Sequence, residues 1–365
     1  MNSPWPDLDC QALRAPLSLA GLQVWQWDKV LQQLRRANVV GRVAAQLDEA
    51  GMLGQVPAGP REHLQGELKL VRAQHQQVRR EVQHILACLS GLSIPVVLLK
   101  GAAYVLAESP AAVGRLSSDV DILVPRSALS DVEGNLMLAG WNGVKPDDYD
   151  QRYYREWMHE LPPMQHMHRG TSLDVHHNIL PLTVRRPPDA GLLLAAIRPL
   201  AAWPGAFVFQ GTDMLLHSIT HLLHNDELSH SMRDLSDIDL MLRAQAAEPA
   251  FWPRLLARAA ALHLSRTLYY GLWSANQALD SPVPDDVWAE LQTAKPAWPL
   301  RKAMHALWRR GLCTVDPQAP LVGSGAAQFM LYVRAHWLRM PPLLLTQHLS
   351  RKAWKRLKAK PQALP

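Results

Sequence analysis

The chain has little cysteine: three among 365 residues, Cys10, Cys88 and Cys313, spaced far apart. That spacing argues against a disulfide framework or a zinc knuckle, and a reducing cytoplasm fits it best. Long apolar runs are also missing. No window approaches ~20 unbroken apolar residues, so no spanning helix is expected. The start, MNSPWPDLDC, has neither a basic patch nor an apolar stretch, which speaks against a secretory signal. No repeat of solenoid period occurs. Proline is frequent, at 28 copies, yet forms no tract, so it reads as punctuation between short elements. Against these absences, 48% apolar and 19% charged residues give the balance of a folded soluble protein.

The formal charge of +6 is unevenly placed. Segment 351–360, RKAWKRLKAK, carries six cations and no acid, and the rest of the chain holds 32 basic and 32 acidic residues. The excess is therefore a tail property. It points to an RNA backbone or an anionic membrane surface, or simply to a solvated terminus.

Four regions follow from the patterning. Residues 1–92 read as helical, with one apolar stripe from Trp25 to Glu49 and a longer one from Glu62 to Leu89. Residues 93–210 read as a mixed α/β core. Ile94 to Leu99 and Asp119 to Val124 are strand candidates, as is Ser172 to Ile179. A helix is expected between Ala102 and Glu108, and another from a Ser127 cap to Ala139. Residues 211–350 read as helical again, with helices over 213–224, 231–244, 252–262 and 298–308. Residues 351–365 form the basic tail.

The chemistry-bearing stretch is Arg115 to Val124, RLSSDVDILV. Alternation along a strand puts Asp119 and Asp121 on one face, ~6–7 Å apart, with Val120, Ile122 and Val124 on the other. Two such carboxylates repel unless a cation lies between them, and oxygen ligands of this kind suit magnesium. Lys100-Gly101, at the junction of a buried strand and a helix, is a place where backbone amides can approach phosphate. Lys100 could add a point charge and Arg115 a bidentate grip. Asp174 supplies a third acid from another strand, as a two-metal site needs.

Leu99-Lys100-Gly101, then Arg115 to Val124, then Leu173-Asp174-Val175-His176 resemble the uncharacterised nucleotidyltransferase family of the polymerase-β-like superfamily. The Gly140-Trp141 ending and the segment RDLSDI (Arg233 to Ile238) match more loosely. The resemblance implies an α+β fold: a small mixed sheet with helices, flanked by N-terminal helices and a C-terminal helical domain. It also implies metal-dependent transfer of a nucleoside monophosphate from a nucleoside triphosphate, such as ATP, to an acceptor hydroxyl. Magnesium or manganese would bind Asp119, Asp121 and Asp174, with Asp174 also activating the acceptor. Lys100, Gly101, Arg115 and Ser118 would face the triphosphate, and His176 would support Asp174. The sequence departs from the wider superfamily in having Ala102 after the loop glycine, where Ser or Gly is usual. It also has a longer loop before Asp119. A small-molecule acceptor is the leading expectation.

Three other readings compete. One is a regulatory or toxin-like nucleotidyltransferase acting on a macromolecule, transfer RNA or protein, to which the basic tail contributes. Another is a non-catalytic nucleotide-binding scaffold. The third is a zinc hydrolase built from His159, His166, His168, His176 and His177, which depends on the hairpin register between His166 and Asp174. His217, His221 and His224 form a helical stripe read as interface histidines. Asp237 and Asp239 sit two apart on a helix, so they do not share a face and Asp237 reads as structural. Trp25, Trp27, Trp252 and Trp298 could stack on a base, but packing is the ordinary use of such residues.

Overall fold

The computed structural model describes residues 8–144, 151–312, 322–340 and 345–346. The basic tail lies outside them. Seven strands form one mixed sheet in the order β3-β4-β5-β2-β1-β7-β6. They are β1 (Val96–Leu99), β2 (Asp119–Leu123), β3 (Trp141–Gly143), β4 (Met164–His166), β5 (Ser172–His176), β6 (Ile197–Pro199) and β7 (Ala206–Phe209). Strand β1 is buried along its whole length, as a β-branched apolar run at the middle of a sheet should be. It runs antiparallel to β2 and parallel to β7, and β2 runs parallel to β5.

Before the sheet come helices α1 (Leu8–Arg14), α2 (Val24–Ala37), α3 (Val40–Glu49) and the 32-residue α4 (Ala58–Leu89). The single helix expected from Trp25 to Glu49 is two. Asn38 takes a left-handed backbone, φ 57°, and its N–H caps α2 by bonding to the Leu34 and Arg35 carbonyls. Asparagine tolerates that conformation better than most side chains. Helix α5 (Lys100–Leu106) follows β1 directly, and α6 (Leu129–Leu138) follows β2. Ser127 does not cap α6. It lies in a one-turn 3-10 helix, Arg126–Ala128, and Ala128 occupies the cap position.

Beyond the short α7 (Ala190–Ala195) the chain is helical: α8 (Gly211–His224), α9 (Ser231–Gln245), α10 (Phe251–Ala261), α11 (Ser265–Leu279), α12 (Asp285–Glu290), α13 (Trp298–Gly311) and α14 (Ser324–Arg339). One apolar cluster runs from Cys10 through Val97, Ile122 and Leu216 to Leu331, so helices from both ends pack on the sheet's core. No helix among the described residues is long and apolar enough to cross a membrane.

One close approach positions the site. A Cβ on Gly41 of α3 would stand 2.5 Å from the Gly114 carbonyl oxygen, and Gly114 itself has φ 65°. Only glycine at both positions lets α3 touch the loop that leads into β2.

Candidate active site

The register of the two central parallel strands assembles the acids. Asp119 pairs with Ser172 and Asp121 with Asp174, which places all four on one face of the sheet. Val120, Ile122, Leu173 and Val175 take the other face and are fully buried. Carboxylate oxygens of Asp119, Asp121 and Asp174 come within 4.8 Å of one another. The alternation read from the sequence thus brings three acids together from two strands whose paired residues lie 53 positions apart in the chain.

Asp121 is the inner member, 2% exposed. Lys100 Nζ donates to its Oδ1 at 2.7 Å and His176 Nε2 lies 3.0 Å from the same oxygen. Burial alone would raise the Asp121 carboxyl, but Lys100 and His176 hold it far below the usual range. His176 Nδ1 meets Glu160 Oε2 at 3.1 Å. Both ring nitrogens face carboxylate oxygens, which only accept, and that setting favours the doubly protonated imidazolium. Burial pulls His176 down, and the Asp121 and Glu160 carboxylates outweigh it and push it up. His176 therefore hydrogen-bonds Asp121, where the sequence points to Asp174, and reaches Asp174 through its charge.

The outer acids have no such partners in direct contact. Asp119 is raised by Asp121 first and by burial second. Asp174 is pushed up to about 7 by burial and by the charges of Asp121 and Glu160. Lys100 and His176 sit among Asp119, Asp121, Asp174 and Glu160, and Arg115 and Arg233 act on Asp119 from further off, yet Asp119 and Asp174 stay raised, so the outer acids remain short of positive charge. A hard divalent cation fits that deficit and that all-oxygen donor set.

Lys100 sits at the turn from β1 to α5 with φ 44°, a left-handed backbone that costs a non-glycine residue roughly 1–2 kcal/mol. The next residue, Gly101, is required by space. A Cβ there would overlap Ser117 Oγ and lie 2.8 Å from Arg115 Nη1. Ser118 Oγ donates to Asp119 Oδ1 at 3.3 Å. Beside them a cleft of about 150 Å³ is lined by Ser117, Ser118, Asp119, Gln74, Glu81 and Arg169 among others.

Arg115 is placed differently from the expected phosphate grip. It is 6% exposed, and its Nε donates to Asp237 Oδ2 at 2.7 Å while Arg42 Nη2 donates to Asp237 Oδ1 at 2.6 Å. Nη1 donates to Ser117 Oγ. Its guanidinium thus fastens the loop before β2 to helix α9. Helix α4, which looked purely structural in sequence, clamps the same loop. Gln74 Oε1 accepts from the Ser117 N–H at 2.9 Å and His75 Nε2 bonds the Arg115 carbonyl at 2.9 Å.

The histidines separate by face. Met164 pairs with Leu173 and Gln165 with Ser172, so His166 shares the face of Leu173, opposite Asp174. There His166 packs edge-on against Trp141 and meets Arg169 Nη1 at 2.6 Å. The register that a His166–Asp174 zinc site needs is not the one observed. His159, Glu160 and His176 do gather, within 4.8 Å. On α8, His217 and His221 are held neutral by burial first and by Lys100 second. Asp237 and Asp239 face apart, Asp239 accepting from Ser281 Oγ at 2.6 Å. Glu160 carries no signal in the sequence. It follows a segment without strand or helix periodicity, and only the isolated bridge between Glu160 and His176 brings it in.

No curated protein matches the chain. The family model described as uncharacterised nucleotidyltransferase matches residues 24–280, a span holding β1, β2, β5 and α9. The chain belongs to that uncharacterised nucleotidyltransferase family.

Proposed function

We propose that the protein transfers a nucleoside monophosphate from a nucleoside triphosphate to an acceptor hydroxyl. The observation that carries this reading is the Asp121–Asp174 register, which sets three carboxylates on one sheet face beside a lysine at a strand-to-helix turn. Asp119, Asp121 and Asp174 would hold magnesium or manganese. Such ions neutralise the triphosphate and lower the pKa of a bound hydroxyl.

The chain's own residues do the rest. Lys100, ion-paired to Asp121, and Ser118, bonded to Asp119, would face the triphosphate. Gly101 and Arg115 act indirectly, by fixing the loop from which β2 starts. Asp174 helps activate the acceptor hydroxyl, whose proton passes to solvent as its oxygen bonds to the α-phosphorus and the bond to pyrophosphate breaks. His176 and Glu160 hold Asp121 in place. Catalysis of this kind comes from positioning and charge neutralisation more than from covalent chemistry.

The test uses triphosphates labelled at the α-phosphate, incubated with the protein and fractionated cell extract. Label moving into an acceptor fraction, with pyrophosphate released and both lost in Asp119→Ala, is the expected outcome. Full transfer by Asp119→Ala would refute the assignment.

A further inference from the structure

Helices α11 and α13 enclose a groove of about 590 Å³, a size at which small ligands are commonly held. None of its lining residues belongs to the acidic site. Its walls are aromatic: Trp273 stacks on His305 at 3.8 Å between centroids and 9° between planes, and Trp298 stands 62% exposed at the rim. Its charges are all of one sign, from Lys295, Arg301 and Lys302, with no carboxylate among the described lining residues. Lys302 Nζ lies 5.2 Å from the Trp298 ring centroid and Lys295 Nζ lies 5.8 Å from that of Tyr269. His305 Nε2 shares a hydrogen bond with the Tyr269 hydroxyl at 3.1 Å. Burial, then Arg301 and Lys295, pull its pKa down to about 4, so the ring stays a neutral stacking surface.

Flat aromatic faces interleaved with unopposed cations are what a base and its phosphate require together. An exposed tryptophan flanked by lysine and arginine is poorly explained by packing alone, because its face is not buried against the core. We propose that this groove binds single-stranded nucleic acid, with a base stacked on Trp298 and the adjoining phosphates on Arg301, Lys302 and Lys295. The inference does not rest on the transfer reaction proposed for the acidic site. It adds a surface on which a polynucleotide could be held.

The test is fluorescence anisotropy of end-labelled 12-residue RNA and DNA oligonucleotides with the full chain, without triphosphate or divalent metal. Three phosphate contacts predict a slope of log K against log salt of about −2 for a single strand, and Arg301→Gln with Lys302→Gln should flatten it to about −0.7. Trp298→Ala should weaken binding roughly tenfold without changing that slope. These side chains are partly or fully exposed, so thermal melting of each variant should match the parent. A preference between the RNA and DNA arms tells which strand the groove takes. Affinity unaltered by all three substitutions would overturn the proposal. So would binding of adenosine monophosphate or of anionic phosphatidylserine vesicles with no binding of either oligonucleotide.

Discussion

Lys100 places its ammonium 2.7 Å from Asp121 Oδ1, and does so from a backbone in the left-handed region at φ 44°. The strained conformation and the ion pair belong together. The pair offsets both the backbone cost and part of the cost of burying a carboxylate at 2% exposure.

Breaking that pair should therefore be expensive. Lys100→Ala is expected to destabilise by about 3 kcal/mol, since a buried charge loses its partner. Lys100→Gly should lose roughly 1 kcal/mol less, because glycine accepts the positive φ freely. Urea unfolding of both variants checks the difference. Equal losses would separate the backbone strain from the ion pair.

The outer acids should govern activity and not folding. Asp174→Asn and Asp119→Asn are each expected to lower the transfer rate by at least ~10²-fold, the scale of losing a preorganised electrostatic group at a reacting centre. Circular dichroism should remain that of the parent. A variant with parental rate would remove its residue from the site.

Proton uptake gives a second handle on Asp174. Its carboxyl is raised to about 7 by burial, Asp121 and Glu160. The folded state therefore binds the proton more tightly than the unfolded state. That contribution is full below about pH 4 and is lost as pH rises towards 7. Metal-free protein should fall by a few degrees in Tm over that interval relative to Asp174→Asn, which cannot titrate. A divalent cation needs the ionised form, so its stabilising effect should grow over the same interval. Parallel Tm profiles for parent and variant would contradict this.

Asp237 ties three parts of the chain together: Arg42 from α3, Arg115 from the loop before β2, and α9 itself. Arg42 is 1% exposed and has no second carboxylate in contact among the described residues. Asp237→Asn should cost about 3–5 kcal/mol in chemical denaturation, as expected when a buried ionic partner is removed. Asp239→Asn should cost less than half as much, because its partner Arg243 is half-exposed and can turn to water while Ser281 Oγ can still donate to the amide oxygen. Similar losses for the two would deny Asp237 its anchoring part.

Much of this site was legible in sequence, for reasons of periodicity. Asp119, Asp121 and Asp174 alternate with apolar neighbours, and period-two alternation determines the face whatever the sheet around it. Lys100-Gly101 ends an apolar run and marks a strand-to-helix turn. What alternation cannot supply is the partner across space. Sequence pairs His176 with Asp174, its neighbour in the same strand, yet its ring reaches Asp121 on the adjoining one. Arg115 has the same chemistry whether it grips a phosphate or Asp237, and only the approach of α9 decides between them. Glu160 carries no local pattern at all. The short strands β3, β6 and β7 are three or four residues long, too few for a period to show, and the sheet pairing supports them. At Asn38 the apolar stripe continued across a break that one left-handed residue makes.

The acidic site's hold on a metal-bound triphosphate is tested most directly by binding of each of the four ribonucleoside triphosphates, with and without magnesium, read by thermal shift. The Asp119→Asn, Asp121→Asn double variant runs alongside. At a hundred times the dissociation constant a ligand stabilises by roughly 2.7 kcal/mol, which a melt resolves. A magnesium-dependent rise in Tm with at least one triphosphate is expected, absent in the double variant. No rise with any triphosphate, or a rise that the double variant retains, would contradict it.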